Sequence, residues 1–124
     1  MKILLVDDEK DTEFLFRSFF RKELNDGIYE FYFKENGQEA LDLFKENEMN
    51  LILVDLNMPV MGGTDLIKAI KDIKPNQDIV IITAYDNKEN RDFSNKYDGV
   101  GFLAKPVDFD ELRDILSVYF KKYS

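Results

Sequence analysis

Five short apolar runs divide the chain: KILLV (2 to 6), YEFYF (29 to 33), LILV (51 to 54), IVIIT (79 to 83) and VGFLA (100 to 104). Segments with helical spacing of apolar residues lie between and after them, at about 11–24, 37–47, 64–73, 87–96 and 109–121. A strand–helix unit repeated five times predicts an α/β fold, a parallel sheet with helices on both faces. Past Lys2 and short of Thr83, the first, third and fourth runs are apolar, as strands covered on both sides must be, whereas YEFYF carries a charge in its interior and reads as an edge. Right-handed crossovers leave two closures, a barrel fragment or an open doubly wound sheet. A complete barrel needs about 250 residues. With 124 residues the open sheet is preferred, as one domain over residues 1–124.

Composition removes several function classes. At 44% hydrophobic and 34% charged residues, the chain is neither a disordered nor a membrane sequence. Apolar runs such as Leu51–Val54 fall far short of the ~20 residues of a spanning helix. The start MKILLVDDE meets acids before a signal-peptide core can form, so a cytoplasmic location is expected. A net charge of -8 repels phosphate backbones and argues against direct nucleic-acid binding. There is no cysteine and no histidine, which excludes disulfides and thiolate metal sites and removes the commonest general base and zinc ligand. Chemistry must come from carboxylates, hydroxyls, lysine and backbone.

In open α/β sheets, ligands bind beyond the carboxyl ends of the strands, where the strand order reverses. Strand 1 ends in Asp7-Asp8-Glu9, strand 3 in Asp55-Leu56-Asn57, strand 4 in Thr83-Ala84 and strand 5 in Ala104-Lys105-Pro106. Each has an ordinary explanation. An Asp caps a helix or turn, a threonine suits a strand, and a proline starts a helix. In the strand order 2-1-3-4-5, however, Asp7, Asp8 and Asp55 share the crevice at the switch point. Three converging carboxylates resist joint ionisation unless a cation sits among them, and an all-oxygen set with few carboxylates suits Mg²⁺. Thr83 and Lys105 add a hydroxyl and an ammonium, the groups that bind a phosphoryl oxygen.

The combination of ILLVDDE, LVDLNMPVMGG, VIITAY and FLAKPVD, in this order, resembles the receiver domain of two-component response regulators, CheY-like proteins, along the whole chain. The resemblance implies a flavodoxin-like (βα)5 sheet of order 2-1-3-4-5 and a role for each residue. Asp55 would be the phosphoacceptor, taking a phosphoryl group from a sensor histidine kinase or a histidine phosphotransfer protein. Asp7, Asp8, Asp55 and the backbone carbonyl of Asn57 would hold Mg²⁺. Lys105 would bind a phosphoryl oxygen, and Thr83 would bond the attached group and make room for Phe102, the switch aromatic, to turn inward. The changed surface would be the helix at 87–96, the strand at 100–104 and the helix at 109–121, meeting a downstream protein or a second copy. The Lys105–Pro106 peptide would be cis.

Local features add expectations. Gly62 stands where many members carry an acid, and Asp98-Gly99 takes the place of the usual turn before strand 5. Segment 87–96 has few apolar residues, with Phe93 and Tyr97 as its anchors, so a short or mobile helix is expected. In the first helical segment Leu15, Phe16, Phe19, Phe20 and Leu24 share one arc and Phe14 lies outside it. Phe14, with Leu15, is either a docking point for a kinase or a scattered surface hydrophobe. No output domain follows the last helix, which fits a stand-alone receiver or one cut from a longer chain. Three other readings compete. A Mg²⁺-dependent aspartyl-phosphate phosphohydrolase would want its Asp-x-Asp after strand 1. An FMN carrier would want a hydroxyl- and glycine-rich loop where DDEKDTE stands. A receiver-like scaffold that is never phosphorylated would have no need of a complete site.

Overall fold

The computed structural model describes residues 1 to 124. Five parallel strands form one sheet in the order β2-β1-β3-β4-β5. They are β1 (Lys2–Val6), β2 (Glu30–Lys34), β3 (Leu51–Val54), β4 (Asp78–Thr83) and β5 (Val100–Ala104). Six helices connect and follow them: α1 (Thr12–Phe19), α2 (Arg21–Asn25), α3 (Gly37–Glu46), α4 (Gly63–Ile73), α5 (Lys88–Asn95) and α6 (Phe109–Tyr123). This is the open doubly wound sheet expected from the strand–helix alternation, in the flavodoxin-like order that the resemblance implies. No helix is long and apolar enough to cross a membrane.

Alternation along the strands sends successive side chains to opposite faces and builds two cores. Leu4, Val6, Ile52, Val54, Ile79 and Ile81 meet the apolar stripes of α3, α4 and α5. Ile3, Leu5, Leu51, Leu53, Val80 and Ile82 meet α1 and α6 on the other face. The central strands β3 and β4 are buried at every position, and β2 is an edge, as its charge suggested. On the second face Phe16, Phe20, Phe31 and Phe109 pack with centroids 5.3 to 6.4 Å apart.

That aromatic packing corrects one expectation. The segment 11–24 is not one helix, because Phe20 leaves helical geometry at φ -97° and ψ 22° and separates α1 from α2. Its ring is fully buried against Phe16, Tyr29 and Phe31. Periodicity alone carries no sign of a backbone turned to seat one ring. The other segments stand close to their expected bounds, and α5 is short, with Phe93 buried and its ring 5.5 Å from that of Tyr97. Gly99 supplies the turn before β5 at φ +76°, a conformation open to glycine.

Candidate functional site

The strand register sets the site. Val6 of β1 pairs with Val54 of β3, so the next residues, Asp7 and Asp55, emerge side by side at the carboxyl end of the sheet. The backbone holds them there: the Asp55 N–H donates to the Val6 carbonyl at 3.0 Å, and the Asp7 N–H to that of Lys34 at 3.1 Å. Thr83 pairs with Ala104, and the Lys105 N–H donates to the Thr83 carbonyl at 2.8 Å. Lys105 therefore starts two strands away from Asp55 and extends its side chain back across the crevice. The Lys105–Pro106 peptide is cis, as the resemblance implies.

Lys105 Nζ donates to Asp55 Oδ2 at 3.0 Å, to Asp7 Oδ2 at 3.0 Å and to Glu9 Oε1 at 3.1 Å. The second oxygens are also engaged. The Asn57 N–H donates to Asp55 Oδ1 at 3.0 Å, and the Glu9 N–H donates to Asp7 Oδ1 at 2.9 Å. Both Asp55 and Asp7 are buried, whereas Asp8 is exposed at the mouth. One carboxylate oxygen from each of Asp7, Asp8 and Asp55 lies within 4.8 Å of the others. Hard oxygen donors so grouped match the small coordination sphere and retained waters of Mg²⁺.

Burial pushes the Asp55 carboxyl above its ordinary pKa; the Asn57 N–H and Lys105 oppose this, and the Asp7 charge adds to it. Burial also works against the Lys105 ammonium, but its hydrogen bonds to Asp55 and Asp7 outweigh that and hold its pKa above the ordinary lysine value. The site is thus a set of partly desolvated carboxylates organised around one firmly charged ammonium. An incoming cation adds positive charge where the carboxylates repel, and a phosphoryl group would meet Lys105.

Thr83 is fully buried, and its hydroxyl is bonded to neighbours of the carboxylates and not to the carboxylates themselves. Its hydroxyl accepts from the Tyr85 N–H at 3.2 Å and from Asn57 Nδ2 at 3.5 Å, the outer limit of a hydrogen bond. Phe102 lies outside the crevice on β5, half-buried among the residues that pack on α5. Phe14 and Leu15 are 71% and 49% exposed, so Leu15 is not on the buried stripe where its arc placed it. A cavity of about 260 Å³ opens beside the site, between α1 and the segment after β5, lined by Leu15, Phe16, Lys105, Val107 and Phe109.

Two features escaped the sequence reading. Glu9 joins Lys105 as a third carboxylate, and its only signal was its place after Asp7-Asp8. The loop after Asp55 turns through Val60 and Met61, at φ 48° and 68°, and not through its glycines. Gly63 serves a close approach instead, since a Cβ there would lie 2.4 Å from the Asp55 carbonyl oxygen.

Comparison with known proteins agrees with this geometry. Residues 3–117 match the response regulator receiver domain family. Sporulation initiation phosphotransferase F of Bacillus subtilis is 34% identical over 118 residues, covering 95% of this chain and 92% of that protein. The autoinducer 1 sensor kinase/phosphatase LuxN of Vibrio harveyi is 32% identical over 97% of this chain, which spans only 14% of that much longer protein. The response regulator TrrA of Thermotoga maritima, solved in complex with Mg²⁺ and BeF, superposes with a TM-score of 0.78 at 30% identity, covering 95% of this chain and 97% of that one. With its sheet order, its acidic crevice and a family match over nearly its whole length, the chain belongs to the response regulator receiver domains of two-component signalling.

Proposed function

We propose that residues 1–124 form one receiver that accepts a phosphoryl group on Asp55 and changes shape in response. The observation that carries this reading is the place of Asp55, buried, bonded to Lys105 at 3.0 Å and grouped with Asp7 and Asp8 within 4.8 Å. Asp7, Asp8, Asp55 and the Asn57 carbonyl would hold Mg²⁺. The ion, when bound, lowers the repulsion between the Asp55 carboxylate and an incoming phosphoryl group.

The chain's own residues do the rest. An Asp55 oxygen attacks the phosphorus of a phosphohistidine; a new O–P bond forms, and the N–P bond breaks with its electron pair left on the imidazole. Lys105 stabilises the spreading negative charge of the equatorial oxygens. The Asn57 N–H orients Asp55 through its other oxygen. Thr83, once drawn to the attached group, leaves room for Phe102 to turn inward, altering the face made by α5, β5 and α6. The domain is a signalling phosphoacceptor that assists its own modification and its reversal, not a turnover enzyme.

The donor is a sensor histidine kinase or a histidine phosphotransfer protein, in keeping with the names of the relatives. Its phosphohistidine must reach Asp55 from the open mouth, and there the exposed Leu15 lines the cavity, with the exposed Phe14 beside it in α1. An apolar helix face carrying the histidine fits that place. The output is a downstream protein or a second copy at the α5–β5–α6 face, and the chain's net charge of -8 disfavours nucleic acid and anionic membrane as partners.

Intact-mass measurement after incubation with acetyl phosphate tests the reading. One phosphoryl addition that requires Mg²⁺ and disappears in Asp55→Asn is expected. No addition, or addition indifferent to that substitution, refutes it.

A further inference from the structure

Arg91 joins the loop after Thr83 to the ring of Phe102. Its guanidinium donates to both carboxylate oxygens of Asp86, Nε to Oδ1 at 2.7 Å and Nη2 to Oδ2 at 2.9 Å. The same guanidinium carbon lies 4.1 Å from the centroid of the Phe102 ring. A planar guanidinium held along one edge by a carboxylate keeps its face free for a ring, a combination that a lysine ammonium does not offer.

The loop and α5 are also tied elsewhere. Asn90 Nδ2 donates to the Tyr85 carbonyl at 2.8 Å, and the Asn87 side chain caps α5 by accepting from the Asn90 N–H at 2.9 Å. Residues 85–87 are therefore bound to the first turn of α5, and a displacement of Thr83 passes to the helix that carries Arg91. Asp86 stands three residues beyond Thr83, and Phe102 two residues before Ala104, the register partner of Thr83.

We propose that Arg91 is a positioning residue for the switch, with Asp86, Arg91 and Phe102 forming a latch that opposes the phosphorylated arrangement. The proposal rests on the reading of Asp55, Thr83 and Phe102 given above. The stacked contact exists only while the ring lies under the guanidinium; an inward turn of Phe102 breaks it. An interaction made in one of two arrangements biases the equilibrium by its own strength. By reciprocity, its loss must appear as tighter binding of whatever favours the other arrangement. Exposed cation–π and ion-pair contacts of this kind amount to about two- to tenfold in an equilibrium constant.

The test is calorimetric titration of the chain with beryllofluoride, a phosphoryl mimic, at saturating Mg²⁺. Arg91→Ala and Asp86→Asn should each bind about two- to tenfold more tightly than wild type, and Arg91→Lys should fall between. In a Phe102→Ala background, Arg91→Ala should change nothing, an outcome that a general loosening of α5 does not give. Thermal unfolding of each variant checks the fold, and Arg91→Lys carries the test if the alanine variant does not fold. Unchanged or weaker binding in Arg91→Ala, or an effect that persists without the Phe102 ring, overturns the latch alone. Failure of wild type to bind beryllofluoride through Asp55 overturns both the latch and the reading beneath it.

Discussion

Lys105 Nζ reaches Asp55 Oδ2 at 3.0 Å from a strand end two positions away in the sheet, so one ammonium spans the crevice. It also holds Asp7 and is held in turn by Glu9. In the free chain Lys105 thus occupies the carboxylates that a metal ion would use. Lys105→Met should tighten Mg²⁺ binding, because a competing positive charge is gone, while slowing phosphoryl uptake from acetyl phosphate by about 10² or more, the usual loss for one charge-stabilising donor. Mg²⁺ titration and the rate of mass gain measure the two effects separately. A variant that lost both together would assign Lys105 to metal binding.

Asp55 pays for its readiness in stability. Burial raises its pKa in the folded chain, so the native state holds that proton more tightly than the unfolded state does. Without metal, the contribution of Asp55 to stability is therefore least favourable at neutral pH and improves as pH falls through its native pKa towards its unfolded value. Asp55→Asn, which cannot titrate, should exceed wild type in urea denaturation at pH 7 in a chelator. The gap should close as the pH is lowered through that window. Added Mg²⁺ should reverse the ranking, since a ligand at a hundred times its Kd stabilises the binding-competent chain by about 2.7 kcal/mol. A wild type more stable than Asp55→Asn at pH 7 without metal would contradict this account.

The turn after Asp55 makes a separate test of local strain. Val60 is β-branched, 67% exposed and held at φ 48°, where branched side chains are rare. Val60→Asn keeps a side chain that tolerates this conformation and should stabilise the chain by about 0.5–1 kcal/mol. Gly63→Ala should cost about 2–3 kcal/mol, as overpacking does, and should slow phosphoryl uptake because it presses on the backbone of Asp55. Gly62→Ala meets only ordinary contacts, the nearest at 3.5 Å, and should stay within about 0.5 kcal/mol of wild type. Urea midpoints order the three variants.

The sheet and the acidic centre were legible because period and register are properties of the chain. Val6 and Val54 end apolar runs, and once those strands pair in parallel, Asp7 and Asp55 have to meet. Lys105 was legible through its place after the fifth run. The rest depended on tertiary packing. The seating of the Phe20 ring broke a helix that looked continuous, and the fork of Arg91 found Phe102 across two elements. Gly63 owes its purpose to the close approach of the Asp55 and Leu56 backbone, and the left-handed conformations of that loop fall on Val60 and Met61, neither of which a local pattern announces.

Lys71 is the clearest case of a residue whose sequence setting concealed its role. In IKDIK it looks like one more charge on the solvent face of a helix, yet it is buried. Its Nζ donates to the carbonyls of Asp98 at 2.6 Å, Gln77 at 2.7 Å and Pro75 at 3.1 Å. Three donors meet three acceptors, so one ammonium staples the end of α4 to the loops that begin β4 and β5. Burial lowers its pKa, and the charges of Asp78 and Asp98 partly restore it. Lys71→Met keeps much of the aliphatic stem but leaves those carbonyls without a donor, and should cost about 2–4 kcal/mol in urea denaturation. The site lies at the other end of the sheet, so phosphoryl uptake at Asp55 by the folded fraction should be unchanged. Loss of uptake in a fully folded Lys71→Met would mean that this staple reaches the switch, and an unchanged urea midpoint would mean that the three hydrogen bonds contribute nothing net to stability.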